Sequence, residues 1–402
     1  MPNYYFGLKP EFKGKKENIT YKSIQNPYYD LMMKKRYDFS FSDYKKISYM
    51  YCNFTYEDIE LILQEFKLHT CLQFEENLRT LKDIGINFFE SKNGKNNVKL
   101  SRSKDEATNL TLTEEVYTDR FALRFFIAKA LGLMPEIQRI DRDLELNIFN
   151  DKIQDSFIEE YEKSTYYYSY LFETDFDFKS AAMPNYYFGL KPEFKEKKEN
   201  ITYKSIQNPY YDLMMKKRYD FSFSDYKKIS YMYCNFTYED NVCLNDGYYY
   251  EKIPFYCTCP SGYSGQYCQN VGYTYSSCGY PTVINATSTP QQMKLEYARE
   301  NCIIKIKASK SWRKVQITAL KLECQHFCKY RRRLDFIEIK YRDDKSVKGI
   351  SLFTNQFKRI ELPALSDEVI ILYLFRGQDH PPKFTFEYKE VNPPEVIWES
   401  KI

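Results

Sequence analysis

"RFFIAKALGLMPEIQRIDRD", residues 124 to 143, decides how the central part of this chain folds, because it holds the clearest helical pattern. Apolar residues recur there at spacings of three and four, on one helical face: Leu123, Phe126, Ile127, Ala130 and Leu131. Gly132 follows the last of them, and glycine lets the chain turn at a helix end. The spacing predicts an amphipathic helix within Asp119 to Leu133.

Patterns on either side of this helix indicate two kinds of structure. Residues 59 to 68 show a second helical pattern, and "INFFES" (86 to 91) alternates like a strand, so this part is expected to be α+β. After Asp240 the residue composition and the hydrophobic pattern change. Residues 241 to 270 are rich in Gly, Tyr and Cys, and residues 278 to 391 alternate in short runs such as "VIILYLF", which predicts an all-β sandwich.

The composition excludes some partners. Lys plus Arg number 59 and Asp plus Glu 55, and the net charge of +4 over 402 residues gives no reason to expect nucleic acid as a partner. No apolar run reaches the 18 residues typical of a transmembrane helix. The sequence therefore predicts neither a nucleic-acid-binding protein nor a transmembrane segment.

A long repeat interrupts the chain. Residues 1 to 58 recur as residues 183 to 240, and the single difference is Gly14 in the first copy against Glu196 in the second. Repeat proteins stack divergent units and need about three of them, whereas these copies are nearly identical and lie on either side of residues 59 to 182. The pattern indicates a recent partial duplication, or a gene model that joins parts of neighbouring copies.

The cysteines favour an oxidising compartment. Eight of the 11 cysteines lie between Cys243 and Cys328, at spacings typical of disulfide-rich modules. Six glycosylation sequons, which a secreted glycoprotein would carry, begin at Asn18, Asn53, Asn109, Asn200, Asn235 and Asn285. The N-terminus shows no signal peptide, so we expect a secreted protein whose chain start is incomplete or misassigned.

Four collinear stretches then show a family resemblance: "LHTCLQFEEN" (68 to 77), "AKALGLMPEIQRIDRD" (128 to 143), "FDFKSAAMPNYYF" (176 to 188) and "SFSDYKKISYMYC" (222 to 234). They resemble the second half of the catalytic domain of astacin-family zinc metalloendopeptidases. Residues 243 to 268 resemble an EGF-like module, and residues 278 to 341 resemble part of a CUB domain. The resemblance implies a truncated α+β metzincin domain (59–240), an EGF-like module (241–270) and a CUB domain (278–391), preceded by the duplicated segment (1–58).

The resemblance also implies a set of disulfides. The implied pairs are Cys71 with Cys234, Cys243 with Cys257, Cys259 with Cys268, Cys278 with Cys302, and Cys324 with Cys328. Cys52, the duplicate of Cys234, is left over, so the repeat explains the odd number of cysteines. The EGF-like module lacks its usual first and third cysteines, and the protease part lacks the second internal disulfide of the family.

The zinc site of the family is missing its ligands. In the register set by Gly132, Phe125 and Lys129 stand at the first two His positions, Phe126 at the general base, and Pro135 at the third His. A phenyl ring has no lone pair to bind zinc, and the ammonium of Lys129 would repel the cation unless it is deprotonated. A rival hypothesis is that the charge of Lys129 takes the vacated place of the cation. What remains is scaffold: Gly132, Met183 of the Met-turn, and Arg139, Asp141, Arg142 and Asp143.

The position of the family's tyrosine after the Met-turn stays open between Asn185 and Tyr186, because Pro184 replaces the family's His and one residue is inserted. Other metal sites have weaker patterns. We interpret His326, in "CQHFC", as a histidine within a disulfide loop, and Asp335 and Asp379 as surface carboxylates rather than a CUB calcium site. The basic run "KYRRRLD" (329 to 335) is interpreted as a solvated face. We predict no cofactor.

Three functions stay open. The first is an inactive pseudoprotease that binds extracellular proteins or matrix through its EGF-like and CUB domains. The second is a zinc metalloendopeptidase, as the family label states, and the third is a non-functional product of a rearranged gene. The two repeat copies compete for one place near Cys71. We expect the second copy to occupy it through Cys234, which would leave residues 1 to 58 loosely packed or disordered, although Cys52 would close a shorter loop.

Overall fold

The computed structural model divides the chain into two compact units. Unit 1 comprises Met1–Met134 and Ile229–Phe236, and unit 2 comprises Pro135–Lys228 and Thr237–Ile402. The described residues are 18–22, 46–50, 56–77, 79–103, 105–164, 172–197, 199–216, 220–234, 242–249, 256–296, 298–324, 337–375 and 381–393.

Unit 1 contains one five-stranded sheet. Its strands are β1 (Asn18–Lys22), β2 (Lys46–Met50), β3 (Gly85–Glu90), β4 (Asn97–Lys99) and β5 (Thr108–Leu112). Their order in the sheet is β1-β2-β3-β5-β4. The β2, β3 and β5 strands run parallel, whereas β1 and β4 are antiparallel to their neighbours. β3 lies at the centre of the sheet with its first four residues buried, as is typical of a strand covered on both faces.

Three helices belong wholly to unit 1: α1 (Tyr56–His69), α2 (Glu114–Thr118) and α3 (Arg120–Ala130). α1 buries one stripe of side chains at helical spacing, namely Ile59, Ile62, Leu63 and Phe66. α3 is buried almost all round, from Leu123 to Ala128 and at Ala130, and is the core helix of this unit. A disulfide joins Cys71, just after α1, to Cys234, with a Cα–Cα distance of 5.5 Å.

The first part of unit 2 consists mostly of loops and short 3-10 turns. Its regular elements are β6 (Leu146–Ile148), β7 (Tyr203–Ser205), α4 (Pro209–Met215) and α5 (Phe223–Tyr233), of which the last five residues belong to unit 1. β6 and β7 pair as an antiparallel ribbon. Asn208 caps α4, because its side chain accepts a hydrogen bond from the Tyr210 amide, and Pro209 occupies the first turn, where proline costs no hydrogen bond.

A small two-disulfide module (residues 242–272) follows. It contains β8 (Tyr263–Ser264) and β9 (Asn270–Val271), which pair antiparallel, and it is crosslinked by Cys243–Cys257 and Cys259–Cys268. Gly247 is needed there for space, since a Cβ atom on it would lie 2.7 Å from the Cys268 sulfur. With so little regular structure, crosslinks are the main means of fixing the fold of this module.

The C-terminal sandwich (residues 278–391) is built from two sheets. One contains β10 (Val283–Asn285), β12 (Cys302–Lys307), β14 (Ile337–Lys340), β15 (Ile350–Leu352) and β17 (Glu368–Tyr373), in the order β10-β12-β17-β14-β15. The other contains β11 (Gln291–Leu295), β13 (Lys314–Glu323), β16 (Ile360–Glu361) and β18 (Lys383–Val391), in the order β11-β18-β13-β16. Side chains of both sheets meet in one hydrophobic core, and Cys278 is bonded to Cys302.

The first sheet of the sandwich is buried on both faces in the middle. Ile370 and Leu372 of β17 pack on the outer face against Tyr263 and Cys268 of the two-disulfide module. Gly262 approaches so closely that a Cβ atom on it would lie 2.7 Å from the Ile370 side chain. The outer face of the second sheet differs, because along β18 buried and half-buried residues alternate regularly.

The other half of that first sheet's outer face is covered by residues 135–228. The Arg342 guanidinium, which follows β14, lies over the rings of Phe178 and Tyr211, at 5.3 Å and 5.4 Å from their centroids. It donates a hydrogen bond to the Phe176 carbonyl at 2.8 Å. The Tyr211 and Tyr341 hydroxyls are 2.7 Å apart. Within unit 2 the sandwich is therefore packed tightly against its neighbours.

The sequence predicted several of these elements. The helix expected at residues 59 to 68, the strand at 86 to 91 and the helix within 119 to 133 are confirmed as α1, β3 and α3. The expectation that residues 1 to 58 are loosely packed or disordered is wrong for two segments, since β1 and β2 belong to the sheet. β2 pairs in parallel with β3, whose backbone groups would otherwise form an open sheet edge.

Candidate functional site

The candidate site begins with α3, whose two ends are set by local hydrogen bonds. Asp119 is the N-cap, and its side chain accepts a hydrogen bond from the Phe121 amide at 2.9 Å. At the other end Gly132 has a left-handed φ of 83°. The Gly132 amide donates to the Lys129 carbonyl and the Leu133 amide to the Ala128 carbonyl, at 2.9 and 3.0 Å, which is a Schellman motif.

The side chains at the expected zinc-ligand positions of α3 belong to the hydrophobic core. Phe125 is 3% exposed and Phe126 is 7% exposed. Their rings meet edge to face, with centroids 5.3 Å apart. The Lys129 Nζ lies 5.8 Å from the centroid of the Phe125 ring, within cation–π range. The side chains at these positions do not fit a zinc ion, because neither phenyl ring offers a nitrogen, oxygen or sulfur ligand.

In unit 2, Pro135 is buried and the residue after it, Glu136, is fully buried. The Glu136 carboxylate accepts a hydrogen bond from the Lys228 Nζ at 2.7 Å and from the Asp177 amide at 3.3 Å, and Arg139 lies 3.5 Å away. Two cations and a backbone amide thus compensate the buried charge. Pro135 contributes only a carbonyl at this place, so it is not a zinc ligand of the imidazole kind.

Met183 is buried at 1% exposure in a turn held by Asp225. One Asp225 oxygen accepts from the Ser180 hydroxyl at 2.6 Å, and the other accepts from the Ala181 amide at 2.7 Å. Asp225 also forms a capping box with Ser222 at the start of α5. Burial, together with the negative charge of Asp177, raises the pKa of Asp225 to about 6, although the charge of Lys228 opposes this shift.

The residues after Met183 have structural contacts. The Pro184 carbonyl accepts a hydrogen bond from the Tyr203 hydroxyl at 2.5 Å. Asn185 is exposed, and its side chain accepts from the Tyr187 amide. Tyr186 is buried and stacks on Tyr203, and its hydroxyl donates to the Asp212 carbonyl at 2.8 Å. The Tyr186 hydroxyl is therefore engaged in the fold rather than available to a substrate.

The charged run after the helix forms ion pairs that hold loops together. Arg139 is almost fully buried, makes two hydrogen bonds to the Asp141 carboxylate at 2.8 and 2.7 Å, and donates to the Thr174 and Asp175 carbonyls. Arg142 donates to the Ile137 and Tyr161 carbonyls. Asp143 pairs with Arg142 and Lys163; its pKa is lowered because these cations outweigh a partial desolvation. These residues support the scaffold.

Comparison with known proteins bears on the same region. Residues 53–234 match the model of a peptidase family described as Astacin. This part of the chain is similar to an astacin domain. The zinc metalloproteinase nas-37 of Caenorhabditis elegans is 28% identical over 271 residues, which cover 65% of this chain and 33% of that relative. The chain thus matches about a third of the length of this curated relative.

Two solved structures are similar at low scores. The hatching enzyme zinc-protease high choriolytic enzyme 1 of the medaka fish Oryzias latipes is 18% identical, with a TM-score of 0.36, over 45% of this chain and 86% of that chain. The CUB1-EGF-CUB2 domains of human MASP-1/3 are 15% identical, with a TM-score of 0.22, over 34% of this chain and 50% of that chain.

In the described part of the chain, the remaining candidate metal ligands from the sequence do not form a metal site. No group of three or more His, Cys, Asp or Glu side chains there could hold a metal ion. His69, at the end of α1, is half-buried, and burial lowers its pKa. His326, His380, Asp335, Asp379, Cys52, Cys328 and the run 329 to 335 lie outside the described residues. Cys324 is disulfide-bonded. No described helix is long and apolar enough to cross a membrane.

Sequence reasoning missed three features of this part of the chain. The Glu136–Lys228 pair joins residues 92 positions apart, and no local pattern indicates it. The capping box of Ser222 and Asp225 has a signature, Ser-x-x-Asp before an amphipathic run, that could have placed the start of α5. The second role of Asp225, in holding the turn at Ser180, has no signal in the sequence.

Proposed function

We propose that this chain is a secreted pseudoprotease of the astacin type that has lost catalysis and acts by binding extracellular proteins or matrix. The observation that supports this most strongly is the packing of α3. Phe125 and Phe126, at the positions of the first zinc ligand and of the general base, are buried against one another in the core of unit 1. They now contribute packing energy at positions where a protease would need polar groups.

In this proposal the chain lacks the groups for both parts of the zinc-peptidase mechanism, namely the zinc ligands and the general base. A zinc ion would lower the pKa of a bound water, but its three imidazole ligands are replaced by Phe125, Lys129 and Pro135. A general base would take the proton of that water, but Phe126 has no basic atom. Lys129 packs over the Phe125 ring, so the rival idea that its charge takes the place of the cation has less support.

The two C-terminal parts are the proposed binding modules. We assign the two-disulfide module as EGF-like and the sandwich as a CUB domain, on the cysteine spacing of "CTCPSGYSGQYC" (257 to 268) and on two sheets around one core. The sheet that contains β18 presents a row of half-buried residues on its outer face: Lys383, Thr385, Glu387, Lys389 and Val391. This mixed charged surface is where a partner protein could bind.

Proteolysis is the second candidate function, and the name of the C. elegans relative favours it. Two measurements on the purified full chain separate the candidates: the zinc content per chain, and peptide cleavage with and without a chelator. An active astacin protease assayed in parallel is the control. We expect less than one zinc in about ten chains, since the loss of even one ligand or supporting group typically costs ten- to hundredfold in affinity, and no cleavage above background. About one zinc per chain with chelator-sensitive cleavage would overturn the proposal.

A further inference from the structure

Three of the glycosylation sequons have described side chains, at Asn109, Asn200 and Asn285, and they differ sharply in their surroundings. Asn285 is exposed at the end of β10, the edge strand of its sheet. Among the described residues its carboxamide makes no hydrogen bond. Thr287, the hydroxyl residue of the same sequon, is also exposed, and its hydroxyl donates only to the nearby Thr289 carbonyl. This sequon is open to solvent at both of its defining residues.

The Asn200 sequon is built into the fold instead. The Asn200 Nδ2 donates to the Phe194 carbonyl at 3.0 Å, and its Oδ1 accepts from the Lys152 Nζ at 3.5 Å. Thr202 is completely buried. Its hydroxyl donates to the Tyr186 carbonyl and accepts from the Tyr161 hydroxyl, both at 2.8 Å. A sugar on Asn200 Nδ2 would have to displace the segment at Phe194.

Asn109 is half-buried on an inner strand of a sheet. It lies in β5, which has a neighbouring strand on each side, β3 and β4. Its Oδ1 accepts a hydrogen bond from the Asn87 Nδ2 at 2.8 Å, and Asn87 is itself buried. A glycan is bulky and hydrated, so it belongs on a surface loop or an open edge rather than between paired strands. A chain glycosylated at Asn109 would have to break this contact in order to fold.

We propose that Asn285 carries an N-linked glycan in the secreted protein and that Asn109 and Asn200 do not; this rests on the extracellular location given under the proposed function. The donor is an oligosaccharide linked to a lipid pyrophosphate. The Asn285 Nδ2 forms a bond to the anomeric carbon of the first sugar, and the bond from that carbon to the pyrophosphate oxygen breaks. The lipid pyrophosphate leaves with the electron pair, and Nδ2 loses one proton. The glycan would also cover an open sheet edge.

The test is expression of the full chain behind a secretion signal in a eukaryotic cell, followed by peptide mass spectrometry. Amidase release of the glycan in heavy-oxygen water converts a glycosylated Asn to labelled Asp. We expect the label at Asn285 in most of the secreted chains, and none at Asn109 or Asn200. Secreted, disulfide-bonded protein with an unlabelled Asn285, or with label at either of the other two, would overturn the proposal. Retention of the whole chain inside the cell would instead contradict the extracellular location.

Matched variants separate the glycan from effects on folding. Thr287→Ala keeps Asn285 and changes an exposed residue, so it should fold normally and lose the label at Asn285. Asn285→Gln should lose the same label while the rest of the glycan content stays unchanged. Asn109→Gln is expected to leave the glycan content unchanged. Retention of the label at Asn285 in Thr287→Ala would show that the modification does not depend on the sequon.

Discussion

The two copies of the repeat have almost the same sequence, but the segments described in both copies have different structures. "KISYM" forms strand β2 at Lys46–Met50 in the first copy, whereas in the second copy the same five residues, 228 to 232, lie within helix α5. "NITYK" forms strand β1 at Asn18–Lys22, but in the second copy only its last two residues enter a strand, β7. Local propensity is therefore too weak to choose between helix and strand for these residues.

The difference arises from partners that occur once in the chain. In unit 2, Lys228 binds Glu136, and Asp225 binds Ser180 and Ala181. In unit 1, the Tyr233 hydroxyl donates to the Leu131 carbonyl at 2.6 Å. Cys234 is bonded to Cys71. All of these partners lie within residues 59 to 182, which are not duplicated, so only one copy can use them. The first copy lacks these partners, and two of its segments pair as strands in the sheet of unit 1 instead.

Substitution at Lys228 should produce the largest effect. Lys228→Met leaves the Glu136 carboxylate buried without its closest cation, and we expect a loss of about 3 to 5 kcal/mol in the free energy of unfolding, measured by urea denaturation. Lys46→Met is the matched control, since the flanking sequence is the same. It should have a much smaller effect. Equal losses in the two variants would show that the Glu136–Lys228 pair is not what causes the loss.

The disulfide gives a second test of the same comparison. Cys234→Ser removes the Cys71–Cys234 bond and should lower the free energy of unfolding by about 2 to 4 kcal/mol. Cys52→Ser, at the equivalent position of the first copy, should leave that bond intact. Disulfide mapping by mass spectrometry checks both variants. A Cys52–Cys71 peptide as the main species of the unmodified protein would assign the place near Cys71 to the first copy instead.

The pH dependence is the smallest expected effect. The folded pKa of Asp225, about 6, is raised above its unfolded value of about 3.9, so this group stabilises the fold fully below pH ~4 and loses that contribution as pH rises through 6. Asp225→Asn cannot ionise, so its unfolding free energy should decline less than that of the wild type across this range.

The matched variant for this titration is Asp43→Asn, in the first copy. It should follow the pH profile of the wild type, because Ser180 and Ala181 bind Asp225. Unfolding free energies at intervals between about pH 4 and pH 7 give the comparison, and groups other than Asp225 cancel in the difference between variant and wild type. Parallel profiles for Asp225→Asn and the wild type would contradict the raised pKa.

Elements with strong local patterns could be predicted from the sequence. α3 follows from the spacing of its apolar residues, and its ends follow from Asp119 and Gly132, because capping is a local interaction. The sequence also predicts that Phe125, Phe126, Lys129 and Pro135 stand at the family's zinc-ligand and general-base positions, since the motif has a fixed spacing and Gly132 sets its register, and this assignment stays a prediction. Whether this loss abolishes catalysis stays a prediction.

Features that depend on distant residues could not be predicted. Nothing in "KISYM" indicates that one copy becomes a strand. The helix in the other copy depends on contacts with Glu136, Leu131 and Cys71, which lie elsewhere in the chain. The position of Lys129 over Phe125, rather than in the place of a cation, depends on how α3 packs. The position of Arg342 over Phe178 and Tyr211 joins parts of the chain that no periodic pattern connects.

The sheet that is buried on both faces makes the C-terminal sandwich a poor candidate for independent exchange between proteins. Excised alone, it would expose Ile370 and Leu372 to water, and a buried side chain of this size is worth about 1.5 to 3 kcal/mol. It would also lose the packing of Arg342 on Phe178 and Tyr211. A recombination that moved the sandwich without the neighbours that cover it would therefore lose this packing energy.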